Sequence, residues 1–286
     1  MRYGSCRADP DFPISGPGGS RGTAAARIIP RTPHKILPKL GGMDEVIEEA
    51  ADRLATLPGV EAVTLGGSRA QGTARPDSDW DLGVYYQDGF DPRHINDLGY
   101  EGRVFGLGEW GGGVFDSGAW LRVDGRSVDV HYRNLGAVTN EVARAERGEF
   151  DIEPLMFHLA GIPTYLVVAE LAVNRLLRGT APVVGAYPRQ LRRKAARVWA
   201  DRAAMHLAYA ENNQQRTMQC LGLIAVAVAE YAHAVVASEG IWVTNEKRLT
   251  KQAKMVDVDE LVRTSTSTGQ LIRAVRELSP VQAVSA

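Results

Sequence analysis

Gly66-Gly67-Ser68-Arg69-Ala70-Gln71-Gly72-Thr73-Ala74-Arg75-Pro76-Asp77-Ser78-Asp79-Trp80-Asp81-Leu82-Gly83-Val84 is the stretch on which the fold turns. It follows Val60 to Leu65, an apolar run that reads as a short strand. The small residues after it make a turn into a short helix, whose backbone N–H groups, with the Ser68 hydroxyl, form a cradle for phosphate. Trp80 to Tyr86 then reads as a second strand. Asp79 and Asp81, two positions apart, point to one face of it, with Leu82 and Val84 supplying the apolar face. Two carboxylates side by side repel each other unless a cation lies between them. Hard oxygen ligands of this kind suit Mg²⁺, which also binds substrate phosphates.

Upstream, Val46, Ala50, Leu54 and Leu57 recur at helical spacing until Pro58-Gly59 breaks the pattern. Downstream, Ala119 to Val123 and Ser127 to Tyr132 flank Asp124-Gly125-Arg126, a hairpin signal. The second arm carries Asp129 between Val128 and Val130; if it pairs beside Trp80–Tyr86, Asp129 reaches the same cations. Gly106-Leu107-Gly108-Glu109-Trp110-Gly111 has the spelling of a dinucleotide fingerprint but no helix after it, and reads as a flexible loop beside the cleft. After about residue 134 the strands are expected to stop: 135–147, 165–177, 189–211 and 215–238 read as helices, with shorter ones near 246–253, 257–264 and 269–278. Met218 to Val236 is apolar on nearly every face, as in a central bundle helix.

The fold class expected is α+β. A poorly ordered, Pro- and Gly-rich extension over 1–42 precedes an α/β domain with a small mixed sheet over 43–145, and a helical domain over 146–286 follows. The 286 residues carry a net charge of −1, which gives no sign of a basic nucleic-acid binder. That total hides an acidic stretch, with eight Lys and Arg against seventeen Asp and Glu over 43–133. A basic one follows, with eleven against five over 187–255. Cys6 and Cys220 are too few for a disulfide framework or a four-cysteine zinc site. The longest apolar run, Leu221 to Ala229, is shorter than the ~20 residues of a membrane span, and a cytoplasmic protein is expected.

Gly67-Ser68, the Asp79-Trp80-Asp81 pair and the later Asp129 resemble the signature of the DNA polymerase β superfamily of nucleotidyltransferases. The size and helical second half are similar to the aminoglycoside and lincosamide nucleotidyltransferases, which modify antibiotics. The resemblance implies that Gly67 and Ser68 hold the terminal phosphates of an NTP; Arg69 and Arg75 read equally as phosphate contacts or as surface residues. It also implies that Asp79, Asp81 and Asp129 bind two Mg²⁺ ions, Asp129 serving as third ligand, general base or both. Lys247, Lys251 and Lys254, spaced for one helical face, would reach the triphosphate. His131 lies on the strand face of Asp129, in a substrate, orienting or structural role. The activity implied is Mg²⁺-dependent transfer of NMP, AMP from ATP foremost, to a hydroxyl of a small molecule such as an aminoglycoside or lincosamide, by a monomer or homodimer. Two alternatives stand beside it: transfer to tRNA or protein in the manner of a toxin, and a non-catalytic nucleotide-binding or antitoxin-like protein.

Overall fold

The computed structural model describes residues 44–278 other than 112, 156, 157 and 256. The extension expected over 1–42 lies outside the described residues. Helix α1 (Glu45–Ala55) begins at Asp44, whose carboxylate accepts from the Val46 amide, and buries Ile47, Ala50, Ala51 and Leu54. Gly59, at φ +77, ends the connection to the sheet; a Cβ there would stand 2.4 Å from the Phe90 nitrogen, so only glycine fits.

The order then runs β1 (Val60–Leu65), α2 (Gly67–Ala70) and β2 (Trp80–Tyr86). A 3-10 turn over Pro92–Leu98 leads into β3 (Glu101–Val104). The hairpin β4 (Ser117–Val123) and β5 (Arg126–Asn134) turns at Asp124 and Gly125, both at positive φ, as a two-residue turn demands. Helix α3 (Leu135–Glu146) is capped by the Asn134 side chain. Strands β6 (Ile152–Glu153) and β7 (Ile162–Pro163) pair with each other. Then come α4 (Leu166–Val173), β8 (Arg175–Gly179), α5 (Arg189–Glu211), α6 (Thr217–Glu239), α7 (Leu249–Gln252), α8 (Val258–Thr264) and α9 (Thr268–Glu277).

The six-stranded sheet has the order β3-β4-β5-β2-β1-β8. Its central pair, β2 and β5, is parallel, and every other neighbour is antiparallel. The sheet is therefore mixed, and long helices follow it, as α+β requires. Two readings of the second half are corrected. Strands do not stop at residue 134, and the helix expected over 165–177 ends at Val173, because Arg175–Gly179 returns to pair with β1. Leu177 goes into the sheet's own core and Leu176 into the core on the opposite face, an alternation that a helical reading of Arg175-Leu176-Leu177 misses.

The two faces of the sheet divide the chemistry. One face, with Val63, Leu65, Leu82, Val84, Val128 and Val130, packs under α1; fully burying such side chains contributes about 1.5–3 kcal/mol each. The other face is apolar only at one end, where Ala62 and Tyr85 meet α3, α4 and α5. Arg133 points into that end and is buried, because Glu170 of α4 takes both arms of its guanidinium at 2.6 and 2.7 Å. Helix α6 packs along α5, and its fully buried Glu230 accepts from Arg202 at 2.8 Å and lies 2.6 Å from His206. Thr217–Glu239 is long and apolar enough to cross a membrane, but two thirds of its most apolar window is buried in the protein, as in a core helix.

Removing one partner of the Arg133–Glu170 pair leaves a charge without its counterion. Arg133→Met is expected to lower unfolding free energy in urea by about 3–5 kcal/mol, while the double change Arg133→Met with Glu170→Leu recovers most of it. Equal losses in both variants would show that the pair does not hold this end of the sheet.

Candidate active site

Strand register assembles the acidic residues. Pairing of Trp80–Tyr86 with Val128–Asn134 along β2 and β5 sets Asp81 directly opposite Asp129, and adjacent strands lie about 4.8 Å apart. Asp79, one step before β2, stands exposed on the same cleft. His131 follows Asp129 by two positions and brings its Nε2 to 3.9 Å from Asp81 Oδ1. The cleft above them encloses about 750 Å³ and is also lined by Gly67, Ser68, Asn174, Asn245 and Lys247.

The glycine turn is fitted to Asp81. The Gly66 amide donates to the Asp81 carbonyl at 2.7 Å, which ties the end of β1 to β2. Gly67 has φ +60, and a Cβ on it would come within 1.8 Å of Asp81 Oδ2. No other residue type can present its backbone so close to that carboxylate. Helix α2 is a single turn, so the cradle rests on the local amides of residues 67–69, which no helical turn satisfies, rather than on a long helix. Arg69 does not face the cleft. Its guanidinium lies 4.0 Å over the Trp80 ring and donates to the carbonyls of Ser78 and Asp79, so it staples the loop that delivers the aspartates. Asp77 sits in an exposed pair with Arg75, as a turn residue does.

Burial pushes the Asp129 carboxyl above the ordinary carboxylate range, and Asp81 and Asp79 push the same way against His131 and Lys247. Three carboxylates held on one wall, one of them already resisting ionisation, form a donor set whose charge and hardness suit a divalent cation. Among the described residues no three side chains of this kind already stand as a ligand cage. Sharing an ion would take side-chain rotation by Asp79, Asp81 and Asp129, for which the cleft leaves room.

The opposite wall comes from the segment before and within α7. Glu246 anchors it: its carboxylate accepts from the amides of Leu159 and Ala160 at 2.6 and 3.1 Å, with His233 Nε2 at 3.5 Å. Burial opposes ionisation of Glu246, yet His233 and these amides hold its carboxyl below the ordinary range. Arg248 reaches across to the Thr73 carbonyl at 3.2 Å and so bridges this wall to the glycine turn. The three lysines do not share a helical face as expected, because the helix is only Leu249–Gln252. Lys247 precedes it and lines the cleft, Lys251 is exposed and away from the lining, and Lys254 sits at φ +52 beside Glu239. The cleft also takes in His158, Glu170 and Asn174, which sequence spacing did not single out. Both ring nitrogens of His158 are buried with no partner within the protein.

Residues 47–107 match the family model described as a nucleotidyltransferase domain. The match takes in α1, the glycine turn, Asp79 and Asp81; Asp129 lies beyond it and joins through strand pairing. No curated protein matches the chain. Among solved structures, the chain is similar to a nucleotidyltransferase-like protein from Exiguobacterium sibiricum, with 11% identity, 83% of this chain and 74% of that one covered, and a TM-score of 0.39. It is also similar to the CdnE cyclic dinucleotide synthase of Elizabethkingia meningoseptica, solved with GTP and Apcpp, with 12% identity, 79% and 80% covered, and a TM-score of 0.24.

Two outcomes follow from the geometry. Gly67→Ala should preserve far-ultraviolet circular dichroism yet lower the melting temperature, because its methyl group would meet the Asp81 carboxylate; an unchanged melting temperature would contradict the fit between Gly67 and Asp81. A carboxyl whose pKa is raised by folding contributes stability only while protonated, and that contribution is lost as pH rises through the folded pKa. In metal-free buffer at pH 7, Asp129→Asn should therefore melt above the parent, with the gap closing below about pH 4.

Proposed function

We propose that this chain, whose residues 47–107 match the nucleotidyltransferase-domain model, transfers NMP from an NTP, ATP foremost, to a hydroxyl group. The observation that supports this most is the register of Asp81 against Asp129 beside Gly67, whose backbone lies against the Asp81 carboxylate. In this reading the amides of the glycine turn and the Ser68 hydroxyl hold the terminal phosphates. Lys247 faces them from the opposite wall, within the same cleft. Asp79 and Asp81, with Asp129, would hold Mg²⁺, which neutralises charge on the phosphate oxygens.

Asp129 accepts the proton of the acceptor hydroxyl, a role its place on the cleft wall directly opposite Asp81 allows. The acceptor oxygen then bonds to the α-phosphorus as the bond to pyrophosphate breaks, in line, with positioning and charge neutralisation supplying most of the rate. As a division of labour, 43–145 carries the chemistry and 146–286 closes the cleft through the wall at Glu246 and Lys247, lending β8 back to the sheet. The acceptor is a hydroxyl-bearing molecule; aminoglycosides and lincosamides form the first small-molecule panel, since about 750 Å³ lies within the usual range for small-molecule sites.

Incubation with α-labelled ATP, Mg²⁺ and an acceptor panel should release pyrophosphate and move label to one acceptor. Asp129→Asn is expected to reduce kcat by about 10²–10⁴-fold, the usual span for losing a general base. Full activity in Asp79→Ala would contradict the proposal.

A further inference from the structure

The backbone of residues 159 and 160 is held from two sides. The Leu159 and Ala160 amides donate to the two carboxylate oxygens of Glu246 at 2.6 and 3.1 Å. From the other side Arg202, bound to the fully buried Glu230 at 2.8 Å, reaches the Ala160 carbonyl at 3.5 Å. Gly161, at φ +86, turns the chain into β7, and a Cβ there would stand 2.9 Å from the Glu153 carbonyl oxygen. Behind Glu246 the buried His233 stacks on Trp199 with ring centres 4.5 Å apart, and Trp199 donates to the Tyr165 hydroxyl at 2.9 Å. Two carboxylates and a stack of rings therefore fix the loop that begins at His158.

The His158 side chain gains nothing from this bracing. Both of its ring nitrogens are shielded from water, and among the described residues neither meets a hydrogen-bond partner. A histidine kept for the fold looks different, as His206 does with its ring nitrogen 2.6 Å from Glu230. Other buried polar atoms are orphaned too, those of Tyr85, Ser117 and Tyr132 among them. Of the side chains orphaned in this way among the described residues, His158 alone lines the cleft. An unpaired buried group opposes folding, so the protein supplies His158 with a fixed place and leaves its partner to come from the cleft.

Glu246 also brings a second group to this place. Its side chain binds the amides that follow His158, and its backbone follows Asn245, which lines the same cleft. Asn245 Oδ1 accepts from the Lys247 amide at 3.1 Å, while its NH₂ donates to nothing among the described residues. A neutral imidazole offers one donor and one acceptor, and a carboxamide NH₂ offers two donors. The phosphates of an NTP are already served by the glycine turn and Lys247, and its cations by the aspartates. What remains to be matched is the base, a planar ring with donors and acceptors along its edge, such as adenine N6 and N7.

We propose that His158, with Asn245 beside it, binds the nucleobase of the donor NTP, adenine foremost. The imidazole gives or accepts a hydrogen bond at the base edge, and Glu246 is the positioning residue that keeps the two side chains on one wall. The inference rests on the nucleotidyltransferase reading and deepens it, because it makes the base as well as the triphosphate a source of affinity. It adds no covalent step.

The test titrates the full chain with MgATP and with magnesium tripolyphosphate, which has the charged chain and no base. His158→Phe should weaken MgATP about tenfold and leave tripolyphosphate unchanged. His158→Gln, which keeps a donor and an acceptor, should recover most of the loss. Lys247→Ala, by contrast, should weaken both ligands. Without ligand, His158→Phe should melt no lower than the parent, since it removes two buried unpaired nitrogens. Titrations with MgGTP, MgCTP and MgUTP show which base is preferred, and a tenfold loss in His158→Phe for any of the four nucleotides, with tripolyphosphate unaffected, supports the contact. Equal weakening of NTP and tripolyphosphate overturns it, as does an affinity ratio that does not change. Transfer from α-labelled ATP at the parental kcat/KM in His158→Phe would overturn the base contact and keep the transferase. ATP binding that depends on His158, with no label reaching any acceptor, would overturn the transferase reading instead.

Discussion

Two like charges held in register are the constraint on which the rest depends. Parallel pairing of β2 with β5 sets Asp81 across from Asp129, an arrangement that costs free energy in a bare protein. Folding supports it by placing the strain at the end of a well-buried sheet. Leu82, Val84, Val128 and Val130 on the reverse face fix the register, since a slip of one residue by either strand would turn its own pair out of the core. The Gly66 amide holds β2 from the side, and Gly67 lets backbone approach the Asp81 carboxylate where any side chain would collide. A site that resists its own ionisation in isolation is one that gains most from binding a cation.

The opposite wall obeys a complementary rule. A buried carboxylate must be paired, and Glu246 meets that demand by gathering two backbone amides and His233. This carries residues 158–160 and the segment around Lys247 to one place. Arg248 then connects that segment to Thr73 in the glycine turn. An acidic floor therefore faces a basic wall within one cleft, which gives spatial meaning to the opposite charge of the chain's two halves.

Much of this was legible in the sequence because local rules and tertiary demands agree there. Val60–Leu65 and Trp80–Tyr86 have the strand bounds expected, and α5 runs over 189–211 as its periodicity implies. The placing of Gly67, Ser68, Asp79, Asp81 and Asp129 around one cleft follows from strand alternation plus one pairing assumption. What escaped depends on partners distant in the chain. Arg175–Gly179 is a strand only because β1 offers an edge. Glu101–Val104 is short and interrupted by Gly102, so it carries no period to read. Lys251 and Lys254 have helical spacing, but the helix stops at Gln252. Arg69 reads as a phosphate contact until Trp80 and the loop carbonyls are seen to occupy it. His158 carries no motif; only its place on the cleft wall draws attention to it.

The central claim is that Asp79, Asp81 and Asp129 hold a cation that in turn holds an NTP. Calorimetric titration of the full chain with non-hydrolysable ATP, run with Mg²⁺ and again with chelator, tests it most directly. The account predicts saturable one-site binding with Mg²⁺ that collapses with chelator and in Asp81→Asn. Equal binding under all three conditions would contradict it.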